Sequence, residues 1–86
     1  MLSCRIMSYH TWNGSEFVGL RAITGGRRQV VYDARTGSRV ILNIHNSRAT
    51  DDDIHSALKE GINARNVLCG VFAALKSRNI DVDFAS

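Results

Sequence analysis

From Glu16 to Thr24 apolar and polar positions alternate, which predicts a β-strand with Val18, Leu20 and Ala22 on one face and Phe17, Gly19, Arg21 and Ile23 on the other. Gly25-Gly26 turns the chain, and Gln29 to Asp33 predicts the next strand, with Val30 and Tyr32 sharing a face. The stretch "ARTGS", Ala34 to Ser38, then predicts a three-residue hairpin loop. Arg35 and Thr36 suit the centre of a type I turn, and Gly37 suits the left-handed position after it. Such a loop sets Ala34 opposite Ser38, Tyr32 opposite Val40 and Val30 opposite Leu42. Val40, Leu42 and Ile44 then join Val18, Leu20, Ala22, Val30 and Tyr32 on one face. A slip of one residue would scatter that set, so the apolar pattern itself supports the register. Leu2 to Tyr9 is read as a first strand, and His10 to Glu16 as a loop around Asn13-Gly14.

From residue 50 the period changes. Thr50 is an N-cap residue with Asp53 three positions on, and Asp51, Asp52 and Asp53 suit the positive end of a helix dipole. Ile54, Leu58, Ile62, Leu68, Val71, Phe72 and Leu75 form a helical stripe. A helix unbroken to Arg78 would run roughly 40 Å, long for so small a domain. The stretch therefore predicts either one long helix or two, with a break at Gly61. Asn79 is the expected stop, and Ile80 to Phe84 alternates as a short last strand. The fold class is α+β: a three- to four-stranded antiparallel sheet packed on one long or broken C-terminal helix, with a short final strand, all in one domain spanning 1–86.

The composition, 44% hydrophobic and 22% charged, is that of a globular chain. Cys4 and Cys69 lack the spacing of a zinc site or a disulfide framework. Both are expected to be reduced, with Cys69 an inert buried thiol, and this usage implies cytoplasmic residence. No apolar run approaches the roughly twenty residues of a membrane span, and the N-terminus has no apolar core of signal-peptide length, so no membrane association is expected.

Charge is unevenly spread. The net charge is +3, yet residues 21–48 hold six arginines against Asp33 alone, while residues 49–86 carry more acids than bases. The basic half is the strand half, which makes Arg21, Arg27, Arg28, Arg35 and Arg39 candidate contacts to a nucleic acid. A two-stranded ribbon fits the DNA major groove, and a paired guanidinium fork suits phosphate. The alternative is a charged edge and turn that discourage aggregation.

The sheet face opposite the apolar one mixes arginine and amides with hydrophobic groups. Phe17, Ile23, Val31, Ile41, Asn43 and His45 are candidates for a protein interface there, unless the N-terminal segment with Ile6, Met7, Tyr9 and Trp12 folds over them. Val67 to Leu75 is apolar nearly all round, and Gly70 and Ala74 allow another helix to come close. Val67, Gly70, Val71 and Ala74 are therefore expected at a homodimer contact, the alternative being burial within the chain.

The run "DDDIH", Asp51 to His55, is a helix start and not a metal cluster, because adjacent helical residues fan out and do not converge. His10, His45 and His55 show no evident catalytic pairing. The expected function is a non-enzymatic binding module without cofactor or metal, contacting DNA or RNA through an arginine-rich hairpin. The alternatives are a protein-interaction or inhibitor module using the open sheet face and, below it, a small enzyme or ligand-binding dimer with a pocket between sheet and helix. The order strand-strand-strand-helix is shared with small DNA-binding modules such as the plant AP2 type and the arm-binding domains of phage-type integrases. The chain carries no diagnostic motif of either, so no residue role is carried over. Its size suits a phage or mobile-element protein.

Overall fold

The computed structural model describes residues 6–10, 16–45 and 48–85, of which 6–10 are described as backbone. The strands β1 (Ile6–His10), β2 (Phe17–Ala22), β3 (Arg28–Asp33), β4 (Arg39–Ile44) and β5 (Val82–Phe84) form one antiparallel sheet in sequence order. Between β4 and β5 the chain forms two helices, α1 (Asp51–Gly61) and α2 (Val67–Ser77). The α+β arrangement expected from the pattern is present. Of the two helix readings, the broken one applies: α1 ends at Gly61.

The hairpin of β3 and β4 follows from local chemistry. Gly37 sits at φ 91°, where a Cβ would be strained, and the Ala34 N–H donates to the Ser38 carbonyl at 2.9 Å. Tyr32 pairs with Val40 and Val30 with Leu42, the register that the apolar pattern demands. At the other end, Gly25 and Gly26 both take positive φ in a short 3-10 turn, and the Ile23 N–H donates to the Arg27 carbonyl at 2.9 Å.

Val18, Leu20, Val30, Leu42 and Ile44 are buried against Ile54, Ala57, Leu58, Val71, Ala74 and Leu75 of the helices. Tyr32 and Val40 pack at the margin, while Ala22, at the end of its strand, is exposed. The helix ends have identifiable caps. Thr50 Oγ1 accepts from the Asp53 N–H at 3.1 Å, and Asn66 Oδ1 accepts from the Cys69 N–H at 3.0 Å. Asn79 adopts φ 57°, and the following Ile80 N–H reaches back to the Leu75 carbonyl at 3.1 Å, which closes α2.

Two expectations about α2 are corrected. The second helix that covers it is α1 of the same chain. Val67, Val71 and Ala74 are buried in the intrachain core. A Cβ on Gly70 would stand 2.4 Å from the Ala64 Cβ and 2.6 Å from the Gly61 carbonyl oxygen. These residues are occupied within the chain and are not offered to a second copy. Cys69, expected to be buried, is exposed, because it lies in the first turn of α2 on the side away from the core. Cys4 and Trp12 lie outside the described residues; Ile6, Met7 and Tyr9, named with Trp12 in the fold-back alternative, belong instead to the edge strand β1 paired with β2.

Candidate functional site

Alternation sorts the arginines more finely than their sequence density suggests. Arg28 belongs to the core-facing row, opposite Ala22 and Ile44. Its side chain is only 12% exposed, and Nη1 donates to Asp51 Oδ1 at 2.9 Å, which ties β3 to the start of α1. Arg39 is on the open face but is clasped by Asp33, with Nε–Oδ1 at 2.8 Å and Nη2–Oδ2 at 3.3 Å. The hydrogen bonds that Arg39 donates to Asp33, then the Asp33 charge, raise the Arg39 pKa above its ordinary value. Arg35 is exposed on the β3–β4 turn, and Arg27 is exposed at the opposite end of β3, whose six residues span about 20 Å. The expected ribbon of five arginines is thus split. Two of its members are in salt bridges, and the exposed ones stand at opposite ends.

The open face is also less apolar at its surface than its residue types imply. Val31 is 6% exposed, and Phe17, Ile23 and Ile41 are half-buried. Among the described residues the exposed large hydrophobic is Phe84, on the helix side, where it stacks on Phe72 with ring centroids 5.5 Å apart.

Across the open face runs a polar row. Arg21, Gln29, Asn43 and Asp83 are successive partners on β2, β3, β4 and β5. Arg21 Nη2 donates to Gln29 Oε1, and Gln29 Nε2 donates to Asn43 Oδ1 at 2.9 Å. A guanidinium can only donate, so Arg21 dictates the orientation of both amides. Asn43 must accept with Oδ1 and is left with its Nδ2 amino group as the donor it presents. His45 Nε2 lies 3.0 Å from Asp83 Oδ2, and the His45 N–H donates to the Asp81 carbonyl at 2.9 Å, joining the row to β5.

This row leads into a cleft of about 440 Å³ at the glycine-turn end of the sheet. Ile23, Arg27, Arg28, Gln29, Asn43, Ile44, His45 and Ala85 line it. The cleft gathers Arg27, Arg28, Ile23, Asn43 and His45 from the sequence candidates. It leaves out Arg35 and Arg39, as well as Phe17, Val31 and Ile41. Gln29 and Asp83 were not singled out by sequence reasoning. The signal for Gln29 is present in the register, which places it between Arg21 and Asn43. The signal for Asp83 appears only once β5 is docked on β4.

The cleft's two carboxylate neighbours, Asp51 and Asp83, are each engaged with a basic side chain, Arg28 and His45. Arg21 makes no ion pair among the described residues, and its hydrogen bond orients and polarises Gln29 and, through it, Asn43. The arrangement is rich in donors and suits an oxyanion. Among the described residues no three His, Cys, Asp or Glu side chains come together as a metal site would require, and no helix is long and apolar enough to cross a membrane. The chain matches no protein family, no curated protein and no solved structure.

Proposed function

We propose that the chain is a non-catalytic binding module that holds nucleic acid, DNA or RNA, by its phosphates, with the cleft at the glycine-turn end of the sheet as its anchor. The observation that supports this reading is the donor row Arg21–Gln29–Asn43 ending beside Arg27 and Arg28. Arg27 supplies charge, Arg28 balances Asp51 at the rim, Asn43 and Gln29 supply directed N–H groups, and Arg35 contributes a weaker contact at the far turn. Phosphate contacts release counterions, so affinity falls steeply as salt rises.

The test is fluorescence anisotropy of labelled random single- and double-stranded DNA and RNA at low and then moderate salt. The expected result is binding that weakens sharply with salt and is largely lost in Arg27→Glu. Absence of binding at low salt, or unchanged binding by a folded Arg27→Glu protein, refutes the reading.

A protein partner is the second reading, and Phe84 favours it. The residue is 56% exposed and its ring stacks on Phe72, with Lys76 Nζ 5.6 Å from the Phe72 centroid. Exposed aromatic surface beside a cation is common at protein contacts. A second copy of the chain is one such partner; sedimentation of wild type against Phe84→Asp tests that case.

A further inference from the structure

We infer that the cleft is built for a phosphomonoester, the terminal phosphate of a nucleic-acid strand or of a nucleotide, and not for a continuous phosphodiester backbone. This rests on the reading of the cleft as the anionic anchor. Three observations carry it.

The cations do not form a track. A protein that follows a backbone presents basic groups repeatedly along its path. Along the described strands β2–β5, Arg39 is clasped by Asp33, Arg35 is on the far turn, and Arg27, Arg28 and His45 line the cleft at the other end.

The cleft is bounded. The turn residues Ile23 and Arg27 form one side and Ala85, beyond β5, the other, with Gln29 and Asn43 between them. Ala85 is held in place because its N–H donates to the Ile41 carbonyl at 2.8 Å. A volume of about 440 Å³ is within the range of small-ligand sites and takes a single nucleotide end.

The donor set suits a dianion. A terminal phosphate has three non-bridging oxygens and more charge than a diester, so it gains more from converging charge-assisted hydrogen bonds. The Asn43 amino group is oriented by the Arg21-driven row, and the half-buried Ile23 gives apolar surface for the attached sugar or base. Asp51 is already engaged by Arg28, so its charge against the incoming anion is offset.

The experiment compares one short single strand bearing a 5′-phosphate, a 3′-phosphate or hydroxyls at both ends, with the label placed internally. AMP, adenosine and inorganic phosphate serve as competitors. One phosphorylated strand should bind about tenfold or more tighter than the hydroxyl strand, the scale of a few charge-assisted hydrogen bonds. Asn43→Asp, which replaces the donor with a carboxylate, should erase that difference. If AMP competes as well as the phosphorylated strand, the site accepts free nucleotides; if only strands bind, it reads strand ends; either outcome supports the proposal. Equal affinity for phosphorylated and hydroxyl strands overturns it while leaving nucleic-acid binding intact. A backbone amide NMR titration with AMP and inorganic phosphate gives a variant-free check. Shifts confined to residues 27–29 and 43–45 are expected, and their absence at saturating ligand overturns the proposal.

Discussion

Gly61 and Val71 meet where α1 passes beside α2: a Cβ built on Gly61 would stand 2.4 Å from the Val71 Cα and 2.5 Å from its nitrogen. Both obstructing atoms are backbone, so they cannot move aside as a side-chain tip would. Gly61→Ala therefore destabilises the fold, by about 1–3 kcal/mol as for other overpacked contacts, although alanine is the better helix former by about 1 kcal/mol. Urea denaturation measures this, and an unchanged or raised midpoint would show that the two helices can part at little expense.

Thr50 and Asn66 each satisfy an orphan N–H at a helix start. Thr50→Ala and Asn66→Ala should each lower stability by about 1 kcal/mol. Serine at either position should retain most of it, since a hydroxyl still reaches the third N–H. Thermal melts of the four proteins provide the comparison.

Arg28 crosses from the sheet to Asp51, and Asp52 and Asp53 share the same first turn. All three carboxylates feel the helix dipole, so Asp51→Ala minus Asp52→Ala isolates the Arg28 contact. Asp51 is largely exposed, which screens the pair, and the difference should be no more than about 1 kcal/mol, with Asp51→Ala the less stable protein. High salt should shrink it. A difference of opposite sign would mean that Arg28 is anchored by other partners.

Tyr32 ionises above its ordinary value of 10.0, because burial penalises the phenolate and because Glu16 accepts its hydrogen bond and adds negative charge nearby. The folded state then holds the phenolic proton more tightly than the unfolded chain. The stability this contributes is complete below pH 10.0 and is lost as pH rises through the raised value. Glu16→Gln should lower the midpoint without bringing it fully to 10.0, since burial is the larger cause. Ultraviolet phenolate titration in a Tyr9→Phe background reads Tyr32 alone, and a midpoint insensitive to Glu16→Gln would reject the contact.

Arg39 is held by Asp33 on the open face. Asp33→Asn removes the counter-charge and leaves Arg39 available, so non-specific nucleic-acid affinity at low salt should rise. The preference for a phosphorylated end should not change, because the pair lies at the opposite end of β3 from the cleft. A loss of that preference would show that the two ends of the hairpin act as one surface.

Some of this architecture could be read from the chain because it rests on interactions between near neighbours. Gly37 and the alternation around it specify the β3–β4 register, and Thr50 and Asn79 specify helix ends. The strand half of the cleft was partly visible in the same way, since Arg21, Gln29 and Asn43 share a face by parity alone. The dimer expectation at Val67, Gly70, Val71 and Ala74 failed for a definite reason. An apolar helix signals that something covers it but does not say what, and the break at Gly61 lets α1 fold back as that cover.

The sequence by itself determined which residues point to which side of each strand, where the hairpin turns, and where the helical stretch begins at Thr50 and stops at Asn79, because side-chain period, glycine φ and capping act over a few residues. Tertiary structure decided which charges remain available. It sent Arg28 to Asp51, closed the helix pair at Gly61 and Gly70, and brought Asp83 beside His45. Those partners are separated by 9 to 38 residues of chain. Their meeting depends on how helices and sheet pack, a choice made by burial of the whole core and not by any short stretch of it.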